Sequence, residues 1–535
     1  MRIGIDVGGT NTDAVLMDGT DVLAEVKTVT TQDVTAGIVG ALRGLVGARD
    51  FSPAQIQAVM IGTTHFTNAL VEGRRLTRTA ALRLALPATE GLPPMVDWPV
   101  RLRQAIGGHA YLCHGGHEFD GRQISPLDED EIRRAASDMA AHGVRSVAIS
   151  SVFSPVNAEF EQRAADIVTS MLPGVHVSLS HEIGRVGLLE RENATIVNAC
   201  LRDLADQIVD AIGSALLTAG ISAPLYLSQN DGTLMDVEYA RRYPVATFAS
   251  GPTNSMRGAA FLSGLADCAV VDIGGTTTDV GILTRGFPRE AATKADIGGV
   301  RSNFRMPDVL SVGIGGGSLV HAGAEICVGP DSVGYELGTK ALVFGGTMLT
   351  ATDLAVAAGL ADIGDARRAG RVDRELVRGG LDAIAVTVAA AVDRMRTSPE
   401  PLPVVAVGGG SILIPDKLPG SGEVNRPGHY AVANAIGAAI AQVGGEVDRI
   451  FSLGAATREE VLAAAKGEAA SKAIAAGARP DSVQIVEVDE VPIAYLPGNA
   501  VRVRIKAVGD LQLTADRPPH EADNAPEEPP ARPVR

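Results

Sequence analysis

The first 30 residues alternate apolar and polar positions, as β-strands do. The segments RIGIDVGG, TDAVLMD and DVLAEVKTVT carry valine, isoleucine and leucine between small or polar residues, and Gly19 separates the second segment from the third. This alternation is typical of half-buried strands. The pattern therefore predicts a β-hairpin at the start of the chain.

Helical and strand patterns then alternate along most of the chain. Apolar positions at helical spacing, with stop signals such as Gly220, predict helices at residues 35–46, 128–142, 159–171, 190–219, 378–395 and 459–476. Strands are predicted in AVMIGT, VRSVAISSVFS, VHVSLS, PLYLSQND and CAVVDIGG, and a strand pair in SVQIVEVDEVPIAYL and AVRVRIKAVGDL. Such alternation predicts an α/β protein with largely parallel sheets.

Composition narrows the classes of protein. The 535 residues are 46% hydrophobic and 21% charged, as in globular proteins, and the net charge of −16 argues against nucleic acid or membrane surfaces as partners. Cys113, Cys200, Cys268 and Cys327 have neither CxxC nor disulfide-framework spacing. The sequence has no signal-peptide pattern at its start and no apolar run of about 18 residues. We therefore expect a cytoplasmic protein.

An internal repeat is the most informative feature. Residues 6–13 are DVGGTNTD and residues 272–279 are DIGGTTTD, and each copy follows apolar strand residues and precedes AVLM or VGIL. One copy is compatible with an ordinary glycine-rich turn. Two copies in the same context indicate a duplicated domain with two facing phosphate loops.

The residue types of the repeat suit an anion. Adjacent glycines let backbone N–H groups approach a phosphate closely, and threonine hydroxyls add donors. We predict that Asp6 and Asp272, which end the preceding strands, bind Mg²⁺ or position the attacking nucleophile. Asp13 and Asp279 are interpreted as orienting the loops internally. The predicted contacts to nucleotide phosphates are Gly8, Gly9, Thr10, Asn11, Thr12, Gly274, Gly275, Thr276, Thr277 and Thr278.

Two other phosphate-binding folds fit poorly. A Rossmann loop opens into a helix, whereas both repeats open into a strand, and the P-loop sequence GxxxxGK[ST] does not occur. The paired hairpin loops instead resemble those of the actin/Hsp70/sugar-kinase superfamily. This resemblance implies a duplicated α/β ATPase fold with the nucleotide cleft between two related domains.

A longer series of motifs identifies one branch of that superfamily. In chain order these motifs are GTTHFTNAL, SVFSPVNAEFEQR, SLSHEIG, ERENATIVNACL, SQNDGTLM, ASGPTNSMRGAA, PDVLSVGIGGGS and VGPDSVG. The set resembles the A subunit of the hydantoinase/oxoprolinase family, which includes N-methylhydantoinase, 5-oxoprolinase, caprolactamase and ketone carboxylase subunits. The resemblance covers roughly residues 2–450.

The resemblance implies a function. ATP and Mg²⁺ would serve to transfer the γ-phosphoryl group to the carbonyl oxygen of a small cyclic amide (hydantoin, 5-oxoproline or another lactam). A separate hydantoinase B-type or thiohydantoin-processing partner subunit would complete ring opening, in an oligomer. A ketone carboxylase subunit, a non-catalytic reactivase or chaperone ATPase, and a sugar or acetate kinase are the alternatives. The segments YELGTKALVFGG and VAVGGGSILIPDKL depart from the family pattern, so the ring substrate stays open.

Two further glycine-rich turns are assigned to the nucleotide by resemblance. In the superfamily, a late turn of the type formed here by Gly408, Gly409 and Gly410 contacts the adenosine. The family resemblance also implies that Gly315 and Gly316 lie near the cleft. For both turns, a purely structural role is the alternative.

The predicted substrate wall centres on His65, at a strand-to-helix corner. We interpret this residue either as a donor or acid–base group for a substrate carbonyl, or as a core or capping histidine. The other predicted wall residues are Thr63, Thr64, Asn68, Asn230 and Asp231. His109, Cys113, His114 and His117 lie close together in sequence, but their spacing fits no standard zinc motif, so no metal is assigned to them.

The loops and composition suggest four segments. Residues 1–185 form a predicted N-terminal domain with the first loop, and residues 186–455 a predicted ATPase domain with the second. Residues 456–515 are predicted to form a small C-terminal α/β region. Residues 516–535 are rich in proline and charge and are predicted to be disordered.

Overall fold

The computed structural model describes residues 1–513 except Thr10, residues 30–33, Asp50, residues 292–294, Ala324, residues 454–456 and residues 494–499. The predicted disordered tail, residues 516–535, lies outside the described residues.

The strands are β1 (Arg2–Val7), β2 (Asn11–Asp18), β3 (Asp21–Val29), β4 (Ala58–Thr63), β5 (Thr79–Leu86), β6 (His109–His114), β7 (Ser146–Ser151), β8 (His176–Leu179), β9 (Leu225–Ser228), β10 (Thr233–Asp236), β11 (Cys268–Ile273), β12 (Thr278–Thr284), β13 (Phe287–Pro288), β14 (Ala295–Ile297), β15 (Val300–Ser302), β16 (Val309–Val312), β17 (Ser318–Ala322), β18 (Ile326–Ser332), β19 (Val404–Val407), β20 (Lys417–Leu418), β21 (Gly422–Asn425), β22 (Gln442–Ser452), β23 (Gln484–Pro492) and β24 (Ala500–Gly509).

The α-helices are α1 (Val34–Ala48), α2 (His65–Glu72), α3 (Val100–Ala105), α4 (Glu129–Ala141), α5 (Glu159–Met171), α6 (Ser180–Ile183), α7 (Leu188–Cys200), α8 (Arg202–Thr218), α9 (Val237–Arg242), α10 (Ser250–Ser263), α11 (Leu337–Lys340), α12 (Ala351–Ala357), α13 (Ala366–Ala369), α14 (Arg374–Met395), α15 (Ala433–Ala439) and α16 (Arg458–Ala475). None of the helices in the described ranges is long and apolar enough to span a bilayer.

The first loop of the repeat belongs to a mixed sheet. Among the described residues its strands run in the order β23-β24-β22-β10-β9-β4-β1-β2-β3. Strand β1 is antiparallel to β2 and parallel to β4, so the β1–β2 loop and the end of β4 share one edge of the sheet. Strands β22 and β24 extend this sheet beyond β10, although they come from the C-terminal part of the chain.

The second loop lies in a sheet with the same central arrangement. Strand β11 is antiparallel to β12 and parallel to β19. Asp6 pairs with Asp13 in the first hairpin, and Asp272 pairs with Asp279 in the second. This equivalent register confirms the duplicated α/β fold predicted from the repeat.

A third sheet, with the order β6-β5-β7-β8, is parallel throughout. Helices α4 and α5 contribute to the apolar core on this sheet, where Leu82, Ile132 and Ile149 are fully buried. The prediction of largely parallel sheets is wrong for the two loop-bearing sheets, because each contains antiparallel hairpins. One sheet combines strands from the N-terminal and C-terminal segments. The predicted domain boundaries stay a prediction.

The helix predicted over residues 190–219 is two helices in the structure. Helix α7 ends at Cys200, α8 begins at Arg202, and Leu201 lies between them. The Cys200 carbonyl accepts a hydrogen bond of 2.8 Å from the backbone N–H of Thr77. Because this bond joins segments distant in sequence, no local pattern predicts the break.

Helices α10 and α15 cross between the two loop-bearing sheets. Apolar residues of α10 pack against β11 and β19, and those of α15 pack against β2. At the crossing, a Cβ atom on Gly258 would lie 1.9 Å from the Ala433 carbonyl oxygen, and one on Gly437 would lie 1.8 Å from the Asn254 carbonyl oxygen. The close backbone contact of the two helices therefore requires glycine at both positions.

We expect Gly437→Ala to lower the free energy of unfolding by about 3 kcal/mol or more, since the added methyl group overlaps backbone atoms that cannot rotate away. Gly467 lies inside α16, and a Cβ atom added there would have no heavy atom within 4 Å, so Gly467→Ala is the matched control. That variant should be neutral or gain up to about 1 kcal/mol from helix propensity. Urea unfolding measures both, and equal values for the two variants would contradict the proposed crossing.

Candidate active site

The two repeat loops face one another across a cleft of about 280 Å³. Each loop is closed by the same hydrogen bond, from Gly8 N to Asn11 O at 3.0 Å and from Gly274 N to Thr277 O at 2.9 Å. The cleft walls comprise Asp6, Gly8, Gly9, Asn11, Asp13, Lys27, Thr64, Gly251, Pro252, Ser255, Asp272, Gly274, Gly275, Thr276, Thr277, Asp279, Gly408, Gly409, Ala431, Ala433 and Asn434. Thr10 lies outside the described residues.

Asp6 lies at the base of the cleft and is only 4% exposed. Its Oδ1 accepts a hydrogen bond from Asn254 Nδ2 at 3.3 Å, and its Oδ2 accepts one from Asn434 Nδ2 at 3.1 Å. Burial and the nearby Asp13 carboxylate raise the pKa of Asp6 to about 6. Two amide donors therefore hold this carboxylate without neutralising it.

Each loop-bearing sheet, together with its loop, is called a lobe below. Asp272 occupies the equivalent position in the second lobe. Burial, followed by the charges of Asp279 and Asp6, raises its pKa to about 7, although a hydrogen bond from Ser255 opposes the rise. Among the described residues, neither Asp6 nor Asp272 forms an ion pair. The charge of Lys27 opposes the rise in both pKa values only in part, so both carboxylates lie in a setting that penalises their negative charge.

Glycines make room for these carboxylates. A Cβ atom on Gly62, in β4, would lie 2.2 Å from Asp6 Oδ1. A Cβ atom on Gly408, which follows β19, would lie 2.3 Å from Asp272 Oδ1. A glycine therefore lies beside the aspartate in both halves of the repeat, on β4 beside Asp6 and directly after β19 beside Asp272.

The charged residues of the cleft wall restrict which ligands the cleft can bind. Four carboxylates line it, from Asp6, Asp13, Asp272 and Asp279, and Lys27 is the one lysine or arginine among the described wall residues. A phosphate chain would be repelled by this set unless a cation intervened. Carboxylate oxygens are the donors that Mg²⁺ prefers, and Mg²⁺ is commonly held by one or two carboxylates plus phosphates and water. Asp6 and Asp272 fit that description.

The last two residues of each repeat copy, Thr12 and Asp13 or Thr278 and Asp279, point into the protein or have partners within it. The Thr278 hydroxyl donates to the Ile314 carbonyl at 2.6 Å, and Thr12 is fully buried in β2. Lys27 Nζ lies 2.6 Å from Asp13 Oδ1. Asp279 accepts a hydrogen bond from the Ser311 hydroxyl.

The other predicted nucleotide glycines occupy two different places. Gly408 and Gly409 line the cleft, whereas Gly410, Gly315 and Gly316 are buried beside the second loop and are not among its walls. The Gly316 N–H donates to the Gly274 carbonyl at 3.0 Å. A Cβ atom on Gly315 would lie 2.5 Å from the backbone nitrogen of Thr276. These buried glycines therefore pack against the backbone of the second loop.

The predicted substrate residues 63–68 begin at the cleft and turn away from it. Thr64 is a cleft wall, but His65 at the start of α2 is not. The Thr63 hydroxyl lies 2.7 Å from His65 Nδ1, and burial, with the nearby Arg75, lowers the pKa of His65 to about 4. His65 is therefore neutral at pH 7. Asn68 is exposed on α2.

Asn230 and Asp231 line a different cavity. Asn230 Oδ1 accepts from the Ala249 N–H at 2.8 Å, which anchors the residue before α10. Burial alone would raise the pKa of Asp231, but Lys506, 2.8 Å away, and hydrogen bonds from Thr233 outweigh it and hold that pKa below its usual value. The structure therefore does not bring these two residues together with Thr64 in one wall.

The histidines and the cysteine of residues 109–117 also lie in separate surroundings. The His109 ring lies 4.9 Å from the His142 ring, Cys113 is buried, and the His117 ring lies 4.3 Å from the Phe160 ring. His114 Nδ1 lies 3.0 Å from Glu131 Oε1. In the described ranges, His114 is the one of these four residues that lies close enough to other possible ligands, Asp128 and Glu131, for the three side chains to hold a metal ion together.

Sequence reasoning missed three polar cleft residues, Lys27, Ser255 and Asn434, and the buried Asn254 that donates to Asp6. The asparagines had a usable signal, because each is a weak helix former in a helix of small residues. Lys27 had none, since it alternates with apolar residues like any polar residue on a strand.

Asp272→Asn should stabilise the protein when nucleotide and metal are absent. Folding raises the pKa of Asp272 from 3.8 to about 7, so ionisation costs folding free energy progressively between these pH values and fully above them. The gain in melting temperature should therefore be absent near pH 4, grow up to about pH 7 and then level off. Asp166→Asn, at an exposed position on α5, is the control. A gain that does not change with pH would contradict the raised pKa.

Comparisons with known proteins agree with this architecture. Family models for the hydantoinase/oxoprolinase N-terminal region and for hydantoinase/oxoprolinase match residues 2–172 and 191–396. Caprolactamase subunit alpha of Pseudomonas jessenii is 31% identical over 390 residues, 68% of this chain and 55% of the relative. Acetophenone carboxylase gamma subunit of Aromatoleum aromaticum is 27% identical over 397 residues, 67% of this chain and 53% of the relative. The chain thus spans about half the length of the curated relatives it matches.

Two solved structures share the fold. ATP-dependent caprolactamase from Pseudomonas jessenii superposes with a TM-score of 0.76 and 21% identity, covering 96% of this chain and 88% of that one. Nucleotide-free acetone carboxylase gives a TM-score of 0.68 and 19% identity, covering 97% of this chain and 88% of that one. These two structures show the shared fold, and the two family models, with the 31% identity to caprolactamase subunit alpha, show that the chain belongs to the hydantoinase/oxoprolinase family.

Proposed function

We propose that the chain is the ATP-binding subunit of an enzyme that phosphorylates the carbonyl oxygen of a cyclic amide, such as a hydantoin, 5-oxoproline or another lactam. The observation that carries this proposal is the pair of equivalent loops, each with a buried aspartate, on opposite walls of one cleft. The ATP-dependent lactam-opening activity named for a relative supplies the substrate class.

The chemistry requires activation because amide resonance makes a lactam carbonyl a poor electrophile. In the proposed step the carbonyl oxygen bonds to the γ-phosphorus, the bond to the bridging β–γ oxygen breaks, and ADP leaves. Water can then add to the carbon that bears the phosphorylated oxygen, and expulsion of the ring nitrogen as an amine opens the ring and leaves an acyl phosphate. A second water hydrolyses the acyl phosphate to a carboxylate and phosphate. Mg²⁺, when held by Asp6 and Asp272, supplies neutralisation of phosphoryl charge.

This chain's own groups do the positioning. Gly9 and Gly275 line the cleft, and the backbone N–H groups of such glycine-rich turns suit phosphates. Asn254 and Asn434 hold Asp6 from two sides, and Ser255 holds Asp272. The proposal assigns His65, which follows the cleft residue Thr64, to the carbonyl: in the tautomer whose Nδ1 accepts from the Thr63 hydroxyl, the neutral imidazole carries its proton on Nε2.

Ring opening is proposed to need a partner chain. The relatives are named as alpha, beta and gamma subunits, which supports a multi-subunit assembly. A B-type or thiohydantoin-processing subunit is the proposed partner in an oligomer.

The cytoplasmic location of the protein also stays a prediction.

A ketone carboxylase subunit is the second candidate. Two relatives carry that name, an acetophenone carboxylase gamma subunit and an acetone carboxylase beta subunit, each 27% identical to this chain. In that case the phosphoryl acceptor would be an enolate oxygen. Turnover that depends on a ketone, rather than on a lactam, would favour this candidate.

ATP hydrolysis with Mg²⁺ should rise when a hydantoin, 5-oxoproline or caprolactam is added, with the partner subunit present if it is required. Asp6→Ala and Asp272→Ala should each lower the stimulated rate by about 100-fold or more, because each removes a group that positions charge in the transition state. Asp166→Ala should leave the rate unchanged. Equal turnover with and without every ring compound would contradict the proposed substrate class.

Lys27→Met should weaken ATP binding by about 10-fold or more, since the cleft loses its lysine while its four carboxylates remain. ADP binding should fall less if Lys27 contacts the γ-phosphate. Titration calorimetry with Mg²⁺ measures both affinities, and Lys466→Met, exposed on α16, is the matched control. An unchanged ATP affinity would remove Lys27 from the site.

A further inference from the structure

Three side chains that could bind a metal ion lie together outside the phosphate cleft. His114 is the last residue of β6, Asp128 immediately precedes α4, and Glu131 lies in the first turn of that helix. One ligand atom from each of them lies within 4.8 Å of the ligand atoms of the other two. All three are partly exposed, so an ion can reach them. The histidine ends a strand of the all-parallel sheet, and the carboxyl ends of parallel strands are where α/β proteins commonly bind ligands.

Backbone hydrogen bonds hold both carboxylates of this group in place. Glu131 Oε2 accepts from the backbone N–H of His114 at 2.7 Å. Asp128 Oδ1 accepts from the backbone N–H of Glu131 at 3.0 Å. Because these bonds already restrict the side chains, binding an ion would cost little further conformational entropy.

The two carboxylates also differ from their neighbours in the same helical turn. Glu129 Oε2 lies 2.5 Å from Arg133 Nη2, and Asp130 Oδ1 lies 2.9 Å from Arg133 Nη1. Among the described residues, no lysine or arginine forms an ion pair with Asp128 or Glu131, and the one ion-pair partner of either is the histidine. Two carboxylates that share a single imidazole leave negative charge for a divalent cation to neutralise.

The histidine can exchange a proton for a metal ion. Its Nδ1 lies 3.0 Å from Glu131 Oε1, and because a carboxylate only accepts, Nδ1 carries the ring proton in this pair. A metal ion bound at Nδ1 would take the place of that proton, and the neutral ring would carry its proton on Nε2 instead. The contact between His114 and Glu131 is therefore compatible with a shared ion.

The donor atoms restrict which metal fits. One imidazole nitrogen with two carboxylate oxygens suits Zn²⁺ and similar transition metals, whereas Mg²⁺ and Ca²⁺ prefer oxygen ligands alone. Ligands bound to one Zn²⁺ ion at about 2.0–2.2 Å lie roughly 3–4 Å apart, so the group would contract by about 1 Å on binding. Three protein ligands leave a fourth position for water.

We propose that His114, Asp128 and Glu131 bind one divalent transition-metal ion of the Zn²⁺ type. The ligands flank residues 115–127, so the ion would join the two ends of this connection and stabilise it. The spacing of residues 109–117 does not show this site, because two of its ligands come from the start of the next helix. The site is independent of the proposed reaction, since none of its ligands is a wall residue of the phosphate cleft.

Titration calorimetry of the purified, EDTA-treated chain with Zn²⁺ tests the proposal. Excess Mg²⁺ in the buffer competes for the carboxylates of the phosphate cleft, but not for a site that contains an imidazole. We expect Zn²⁺ to bind about 100-fold or more tightly than Ca²⁺ under these conditions. No binding of Zn²⁺ would overturn the proposal.

The variants locate the ion. His114→Gln and Asp128→Asn should each weaken Zn²⁺ binding by about 100-fold or more, because each removes one of three ligands. Asparagine still caps a helix, so Asp128→Asn separates loss of a ligand from loss of structure. Glu129→Gln, in the same turn but paired with arginine, is the matched control and should keep the wild-type affinity. Undiminished Zn²⁺ binding in either folded variant, or an equal loss in the control, would overturn the site.

Thermal melts give a second readout that does not depend on activity. Zn²⁺ should raise the melting temperature of the wild-type chain by about 2 °C or more, because an ion that binds only the folded protein stabilises it. The Asp128→Asn variant should melt at the same temperature with and without Zn²⁺. An equal rise in both proteins would place the ion elsewhere and overturn the proposal.

Discussion

The close crossing of α10 and α15 determines the geometry of the rest of the molecule. Gly258 and Gly437 bring the two helix backbones into contact, and each helix packs on one loop-bearing sheet. Asn254 lies one turn before Gly258, and Asn434 lies about one turn before Gly437. Since residues three or four apart share a helix face, the crossing that joins the lobes also directs both asparagines to Asp6.

The same geometry concentrates negative charge in the cleft. Duplication of the hairpin places two aspartates from each lobe around one space, and burial raises the pKa of Asp6, Asp272 and Asp279. Electrostatic repulsion within this set destabilises the protein without ligand, and a bound cation relieves it. A cleft with this charge set suits the Mg²⁺ and phosphates of the proposed nucleotide chemistry.

Much of this could be predicted from the sequence, because the relevant signals are local. The repeat at Asp6 and Asp272 predicted the duplicated hairpins, and the glycines predicted their loops. The sequence could not reveal which glycines face the cleft, since Gly315 and Gly409 differ only in what packs on them. Nor could it separate Asn230 from Thr64, because sheet order, not sequence spacing, places them in different cavities.

The central claim is that both lobes bind one nucleotide at the same time. Hydrogen–deuterium exchange with and without Mg²⁺ and ADP measures this most directly, since each loop is followed separately. The account predicts simultaneous protection of residues 8–12 and 274–278, lost in both loops when Mg²⁺ is removed. Protection of one loop alone, or of neither at saturating nucleotide, would contradict it.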